Sequence, residues 1–275
     1  MAIIAISRGT FSGGEAVAKG VAERLGYQCI SREVILEAAW GSDVPAEKLF
    51  AAMEKRPSFW HRVVGERSAY LTFVRVALCE HARGGNLVYH GHVGHLLLPG
   101  IAHVIRVRVI ADLEVRIQAA GQQQNLTRKD AIALIEKVDR ERRQWTRFLF
   151  EVDWDDAHLY DLVLNLSRMS PNTACETVVK LSERPEFQPT SASQKAMRDL
   201  TLRSRVSAAL AIDPRTRDAD LTVLADDGIV TITGAIRSPT VEEVIPLVAR
   251  QAEGVKEVRC EARVGSIPYA GISTY

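Results

Sequence analysis

The sequence predicts an α/β protein: a parallel sheet flanked by helices, followed by a small αββαβ domain. Three observations carry this. Apolar runs of strand length alternate with helical patterns from residue 2 to residue 183, the order that builds a parallel sheet with helices on both faces. The first run, Ile3-Ile4-Ala5-Ile6, leads into a glycine-rich turn at 9–14, and a helical pattern opens at once behind it. After a polar stretch at 184–196 containing two prolines the pattern changes to helix, two alternating strands around Asp226-Asp227-Gly228, helix and strand.

Composition narrows the class. The 275 residues suit one large domain plus a small one, and 47% hydrophobic with 25% charged residues is an ordinary globular balance. A formal net charge of +1 gives no support to a general nucleic-acid surface or an anionic-membrane surface. The four cysteines form no C-x-x-C pair, which argues against a zinc site or a thioredoxin-like motif and suits a reducing compartment. They read as small buried hydrophobes. Residues 1–6 are too few for a signal h-region, and no run approaches the roughly 20 apolar residues of a membrane span. The expectation is a cytoplasmic protein that does not span a membrane.

Taken in order, residues 2–7 read as a buried strand and 14–25 as a helix closed by Gly26. Tyr27–Ile30 is a short second strand, and Ser31 caps a helix running to Trp40. Residues 41–66 are polar and irregular, with Pro45 and Pro57 and short helices at 45–55 and 57–64. A helix over 67–83 carries Tyr70, Leu71, Val74, Ala77 and Leu78 at helical spacing and stops at Gly84-Gly85. Residues 86–90 are a third strand followed by a second glycine-bearing turn at 91–95, and 104–111 are a fourth strand. A helix covers 112–121. Thr127-Arg128-Lys129-Asp130 resembles a capping box and opens a long helix to Phe150. Residues 160–166 form the last strand of this set, and Ser170-Pro171 starts a helix over 171–183 with proline at its first position. Both glycine turns follow strands, so both fall on the carboxyl edge of the sheet, where ligands bind in such folds. The expected organisation is a domain over 1–183, a linker over 184–196, a second domain over 197–265 and a tail over 266–275. In the second domain, 197–211 and 239–252 are helices, the latter capped by Gly254. Its strands are 221–225, 229–233 and 255–264.

The chemistry centres on the first turn. Gly9-x-x-x-x-Gly14 fits the phosphate-loop spacing G-x-x-x-x-G-K-[ST] in the strand–turn–helix setting that motif requires. Backbone N–H groups of Thr10, Phe11, Ser12, Gly13, Gly14, Glu15 and Ala16 are the expected cradle, with the helix N-terminus adding its positive end. Glu15, however, stands where the lysine belongs, and Ala16 where the metal-binding hydroxyl belongs. A carboxylate there repels phosphate. Glu15 and Lys19 are also i,i+4, a surface pair worth about 0.2–0.5 kcal/mol. Arg8 and Lys19 are the candidates to replace the lost cation, and Ser12 offers a hydroxyl inside the loop.

Arg140, Arg143 and Arg147 share a face of the helix over 127–150, with Arg142 off it. Arginine forks suit bidentate phosphate contacts. The alternative is a solvated face paired with Glu136, Asp139 and Glu141. Arg116 either joins these cations or pairs with Asp112. His90, His92 and His95 raise a metal reading. The lack of a carboxylate or cysteine companion weighs against it, so no metal site is expected there. Trp60, Trp145 and Trp154 read as core packing and Asp161 as structural.

Two stretches resemble known families. Residues 1–183 resemble the cytidylate kinase-like family of P-loop proteins, on Ile6-Ser7-Arg8-Gly9 with Ser12-Gly13-Gly14, Ser31-Arg32-Glu33-Val34-Ile35, Asp139-Arg140-Glu141-Arg142-Arg143 and Tyr160-Asp161-Leu162-Val163-Leu164-Asn165. Residues 197–264 resemble the BON domain, on Asp213-Pro214, Asp227–Gly234 and Gly254–Val258. The first resemblance implies a nucleoside-monophosphate kinase that uses ATP and Mg²⁺. In it the loop at 9–16 holds the ATP phosphates, Arg32 and His92 face the acceptor, and Arg140, Arg143 and Arg147 are lid arginines. It also leads one to expect a glycine-arginine pair where Gly91-His92 stands. The second implies an interaction module for a protein or phospholipid partner. The rival reading is a non-catalytic nucleotide sensor or scaffold: Glu15 and Ala16 favour it, whereas the arginine-rich helix favours the enzyme.

Overall fold

The computed structural model describes residues 1–34 and 64–265, with residues 64–70 described through their backbone alone. In chain order the elements are β1 (Ile3–Arg8), α1 (Gly14–Leu25), β2 (Gln28–Ser31), α2 (Val64–Ala82), β3 (Leu87–Gly91) and α3 (Gly94–Leu97). They continue with β4 (Val104–Ile110), α4 (Leu113–Gln124), α5 (Arg128–Phe150), β5 (Leu162–Asn165), α6 (Pro171–Ser182) and α7 (Ser191–Ile212). The last are β6 (Asp220–Asp226), β7 (Ile229–Ile236), α8 (Pro239–Ala249) and β8 (Glu257–Val264). Helical backbone also begins at Arg32. The chain divides into two compact units, 1–38 with 84–193, and 39–83 with 194–275.

In the first unit five parallel strands lie in the order β2-β3-β1-β4-β5. β1 is central, and Ile3 to Ile6 are all buried, so both faces of the strand are covered. That is why it reads as a continuous apolar run rather than an alternation. Ile4, Ile6, Val107 and Val109 pack with Val17, Ala18 and Val21 of α1 and Ala174 and Val178 of α6.

The helix ends follow the local signals. Gly26 adopts φ +66° and its N–H returns to Ala22. The Thr127 hydroxyl accepts from the Asp130 N–H at 3.2 Å. Ser170 accepts from the Thr173 N–H at 3.1 Å ahead of Pro171. Ser170→Ala is expected to remove about 1 kcal/mol from the stability of this unit, read as a lower urea midpoint, with Ser170→Asp retaining it.

The second unit has a mixed sheet, β6 antiparallel to β7 and β7 parallel to β8, with α8 as the crossover. Asp227 and Gly228 take φ +46° and +94°, the left-handed pair that an Asp-Gly hairpin turn uses. The core is Val206, Val230, Ile232, Ile236, Ile245 and Val248. In the same unit Glu80 of α2 makes a two-pronged ion pair with Arg205 of α7 at 2.5 and 2.9 Å.

Several boundaries differ from expectation. α7 starts ahead of residue 197 because Thr190 and Ser193 cap each other, each backbone N–H donating to the other's hydroxyl at 2.9 and 3.1 Å. A short helix, α3, occupies part of the second glycine turn. α8 ends at Ala249, so Gly254 is not its cap; with φ +100° it turns the chain toward β8. The helices expected at 45–55 and 57–64, the far end of the helix after Ser31, Trp60 and the tail lie outside the described residues. Among the described residues no helix is long and apolar enough to cross a membrane. All four cysteines are free, Cys79 and Cys175 buried.

Candidate functional site

β1 delivers the chain to the carboxyl edge of the sheet at Arg8. The Gly9 N–H donates to the Val109 carbonyl at 3.1 Å, tying the turn to β4. Phe11 takes φ +58°, a costly conformation for a bulky residue, and packs against Ile117, Ala120, Ala131 and Ile135 of α4 and α5. Gly13 is left-handed at φ +83° and α1 begins behind it. The first helical bond is from the Val17 N–H to the Gly13 carbonyl, so the amides of Gly14, Glu15 and Ala16 have no intrahelical partner. A Cβ on Gly14 would lie 2.6 Å from that of Arg8, so only glycine lets the helix start this close to the strand. A cleft of about 510 Å³ opens over the loop, bounded also by Lys19, Gln123 and Gln124.

The Thr10 and Ser12 donors of the expected cradle are spent inside the protein. The Thr10 N–H and hydroxyl both donate to Asp139, at 3.2 and 2.7 Å. The Ser12 N–H donates to Gly9 at 3.2 Å and its hydroxyl to the Val109 carbonyl at 3.1 Å. The amides at the α1 N-terminus, Gly14, Glu15 and Ala16, are donors that the helix itself leaves for a phosphate.

Asp139 is 5% exposed. Burial pushes its carboxyl up, but the hydrogen bonds from Thr10 and the Arg116 guanidinium outweigh this and hold it below the usual carboxylate range. Arg116 donates to the Thr10 carbonyl at 2.7 Å and pairs with Asp139, not with Asp112. Arg142 donates to the Arg8 carbonyl at 3.0 Å and the Thr10 hydroxyl at 3.2 Å. The loop is thus stapled to α4 and α5 by Phe11, Arg116, Asp139 and Arg142.

The arginines that meet the loop are not the expected three. Arg140 is exposed, Arg143 bonds Asp155 at 2.5 Å, and Arg147 lies 3.7 Å from Asp153. The inward face of α5 carries Ala131, Ile135, Asp139, Thr146 and Leu149, and Arg142 belongs to it. A signal for this was present: Asp139 and Arg142 interrupt an apolar stripe at helical spacing.

On the other side of β1, the register Ile6↔His90 and Ser7↔Gly91 brings the ends of β1 and β3 together, with Arg8 and His92 the next residue of each chain segment. Arg108 of β4 is 6% exposed. Its guanidinium lies 3.6 Å from the Trp154 ring centroid and donates to Asp155 at 3.0 Å. Burial pushes it below the usual arginine range. Trp154 donates its indole N–H to the Ser7 hydroxyl at 2.9 Å. Arg142 is lowered to about 10, by burial first and then by the Arg8, Arg32 and Arg108 guanidiniums, against the opposing pull of Asp139. His92 meets the Thr146 hydroxyl at 2.9 Å through Nε2. Burial, then Arg142, Arg32 and Arg108, push it well below the usual histidine range. Sequence reasoning passed over Arg108. Its signal was two arginines, Arg106 and Arg108, on one face of an otherwise apolar strand. Arg106 pairs with Asp161 at 2.5 Å, the structural role expected of that carboxylate.

Glu15 stands half-exposed, 2.9 Å from Lys19 and 4.0 Å from Arg8. The Lys19 hydrogen bond holds its carboxyl below the usual range. The loop accordingly fits a phosphate group at its amides. It does not fit a magnesium ion in the way the motif would: Ala16 has no ligand atom and the Ser12 hydroxyl donates to a carbonyl. Among the described residues no three His, Cys, Asp or Glu are placed to hold a metal ion.

Comparison with known proteins agrees with this architecture. Residues 3–168 match the cytidylate kinase-like family and residues 198–266 match the BON domain. A cytidylate kinase of Ignicoccus hospitalis is 29% identical over 184 residues, covering 66% of this chain and 99% of its own. One from Staphylothermus marinus is 28% identical over 173 residues, covering 62% of this chain and 90% of its own. The crystal structure of an uncharacterized protein from Eubacterium ventriosum shares the fold, with a TM-score of 0.53 at 20% identity over 66% of this chain and 98% of its own. The chain belongs to the cytidylate kinase-like family and carries a BON domain behind the kinase-like one.

Proposed function

We propose that the first unit binds a nucleotide and transfers the γ-phosphoryl group of ATP to a nucleoside monophosphate. The observation that carries this reading is the gathering of Arg32, Arg108 and Arg142 around His92, with Arg8 next to Arg142 and to the open N-terminus of α1. Arg142 is lowered by burial first and then by the repulsion of the neighbouring guanidiniums. A phosphate dianion offsets it. Phosphoryl transfer rests mainly on positioning and charge neutralisation, which guanidinium forks supply. The ATP phosphates sit at the amides of 13–16 and the acceptor phosphate sits between Arg32, Arg108, Arg142 and His92. Arg143 and Arg147 act in this reading by leaving Asp155 and Asp153 for the bound phosphates, and the exposed Arg140 by joining them. Magnesium accompanies ATP, and no loop hydroxyl is assigned to it.

Glu15 and Ala16 favour a second reading, a sensor or scaffold that binds nucleotide without turnover and passes that state to a protein or phospholipid partner of the BON domain. ATP binding with and without Mg²⁺, followed by ADP formation with CMP, dCMP, UMP and AMP, separates the two. Turnover ends the sensor reading, binding without turnover ends the kinase reading, and no binding at millimolar nucleotide ends both. Glu15→Lys is expected to tighten ATP binding about tenfold, or about 1.4 kcal/mol, by exchanging a repulsive charge for an attractive one. Unchanged affinity would mean that phosphates do not sit at the α1 N-terminus.

A further inference from the structure

At the adjoining ends of β1 and β3 three buried polar atoms have no hydrogen-bond partner among the described residues: Arg8 Nε, His90 Nδ1 and His92 Nδ1. Buried polar groups are normally satisfied, so orphans at a ligand-binding edge call for an explanation. The proton on His92 can be assigned from its neighbours. The Thr146 hydroxyl donates its only proton to the Arg142 carbonyl at 2.9 Å. Toward His92 Nε2, also at 2.9 Å, that oxygen therefore accepts, and Nε2 carries the hydrogen. Nδ1 is left as a bare acceptor in the midst of cations.

The surroundings of that ring are cationic on most sides. α5 contributes Arg142 and Thr146, β4 contributes Arg108, and the helix start after β2 contributes Arg32. Trp154 meets the ring edge-on at 5.3 Å. The nearby carboxylates partly balance these cations: Asp155 pairs with Arg108 and Arg143, Asp139 with Thr10 and Arg116 and lies 4.0 Å from Arg142, Glu15 pairs with Lys19 and lies 4.0 Å from Arg8, and Glu33 interacts with Arg32 and Arg8. Arg8 stands on β1 and the neighbouring His90 is pushed below the usual range by burial and by Arg8.

We propose that His92 is the proton-accepting member of this phosphate subsite: a phosphate dianion seated among Arg32, Arg108 and Arg142 draws a solvent proton onto His92 Nδ1, which then donates to a phosphate oxygen. The inference rests on the reading of this edge as a phosphate site. A histidine here avoids adding a permanent cation to an already repulsive cluster, yet supplies one when the ligand's charge arrives. The sign follows. In the free protein the ring is neutral. In the complex its midpoint is raised, because the dianion replaces repulsion by attraction. Between the two midpoints each unit of rising pH weakens dianion binding by up to about tenfold.

Ring-nitrogen NMR of His92 in the full chain tests this directly, with the resonance assigned by its loss in His92→Gln. In chloride the ring is expected to be the Nε2–H tautomer and neutral at pH 7. With CMP, or with inorganic phosphate, its midpoint is expected to rise by about one unit or more. A rise with both anions supports a site for the phosphate group itself, and a rise with CMP alone supports one completed by the nucleoside. A rise with phosphate while CMP fails to bind keeps the proton-linked anion site and removes the nucleoside-monophosphate reading. A midpoint that moves with neither anion overturns the proposal, whether or not CMP binds. So does a free protein found as the Nδ1–H tautomer.

Discussion

Asp139→Ala is expected to destabilise the first unit by about 3–5 kcal/mol, the range for breaking a buried ion pair from one side. The carboxylate accepts from the Thr10 N–H and hydroxyl and pairs with Arg116, with Arg142 4.0 Å away. Alanine leaves those donors and two guanidiniums without their common acceptor in a nearly closed site. The loop end loses its hold on α5, so the Thr10 amide should exchange with solvent far faster in the variant. Asp139→Asn keeps the shape and part of the hydrogen bonding and is expected to fall between. The pH dependence has a definite sign. The folded carboxyl lies below its ordinary value, so its contribution is complete above the unfolded value of about 3.9 and disappears as pH falls through the lower folded value. Wild type should therefore lose more stability than Asp139→Ala on acidification through that window. Hydrogen exchange of first-unit amides, wild type against variant, reads both effects without assuming that the two units unfold together. Equal exchange at Thr10 in the two proteins would mean that Phe11, Arg116 and Arg142 hold the loop without Asp139.

The same residue shows where the sequence was legible and where it was not. Strand, glycine turn and helix could be read because each rests on local chemistry: an apolar run, a spacing of glycines, and Gly26 at the α1 end. The Thr127 and Ser170 caps could be read for the same reason. The role of α5 is a tertiary matter. The spacing of Arg140, Arg143 and Arg147 identifies a common face but says nothing of which way that face turns. The turn is set by burial of Ala131, Ile135 and Leu149, and it carries Asp139 and Arg142 inward with them. A charged residue on an apolar stripe was therefore the informative signal, more than a cluster of like charges. Glu15 shows a similar limit. Its i,i+4 partner was readable and is present at 2.9 Å, but whether the remaining amides face a ligand depended on how many of them the loop consumed internally.

The clamp also alters what the missing lysine means. In a loop with free amides throughout, one absent cation is a loss at the centre of the site. Here the Thr10 donors are committed to Asp139, and the cations are Arg8 next to the loop and others beyond it on β4, α5 and the helix start after β2. The charge that a phosphate meets is therefore spread over several elements, each held by its own contacts.

Trp154→Ala is the second substitution with a large expected effect, about 3–5 kcal/mol for emptying a core position of this size. The ring is 1% exposed and has three distinct tasks. It fills the space next to β1, it donates to the Ser7 hydroxyl at 2.9 Å, and it lies under the Arg108 guanidinium at 3.6 Å. Trp154→Phe separates them. Phenylalanine keeps most of the apolar volume and an aromatic face, and loses the N–H, a change expected to cost about 1 kcal/mol. The face matters because its quadrupole attracts a cation without adding a compensating charge, an effect that reaches about 2 kcal/mol where water is excluded. It lets Arg108 remain charged beside Arg142 and close to His92 with Asp155 as its carboxylate partner. Added inorganic phosphate should therefore raise the urea midpoint of wild type and Trp154→Phe, through preferential binding to the folded state. It should do so much less for Trp154→Ala, where Arg108 has lost its platform. Equal stabilisation of all three by phosphate would mean that the arginine cluster keeps its arrangement without the ring, and that Trp154 acts through volume alone.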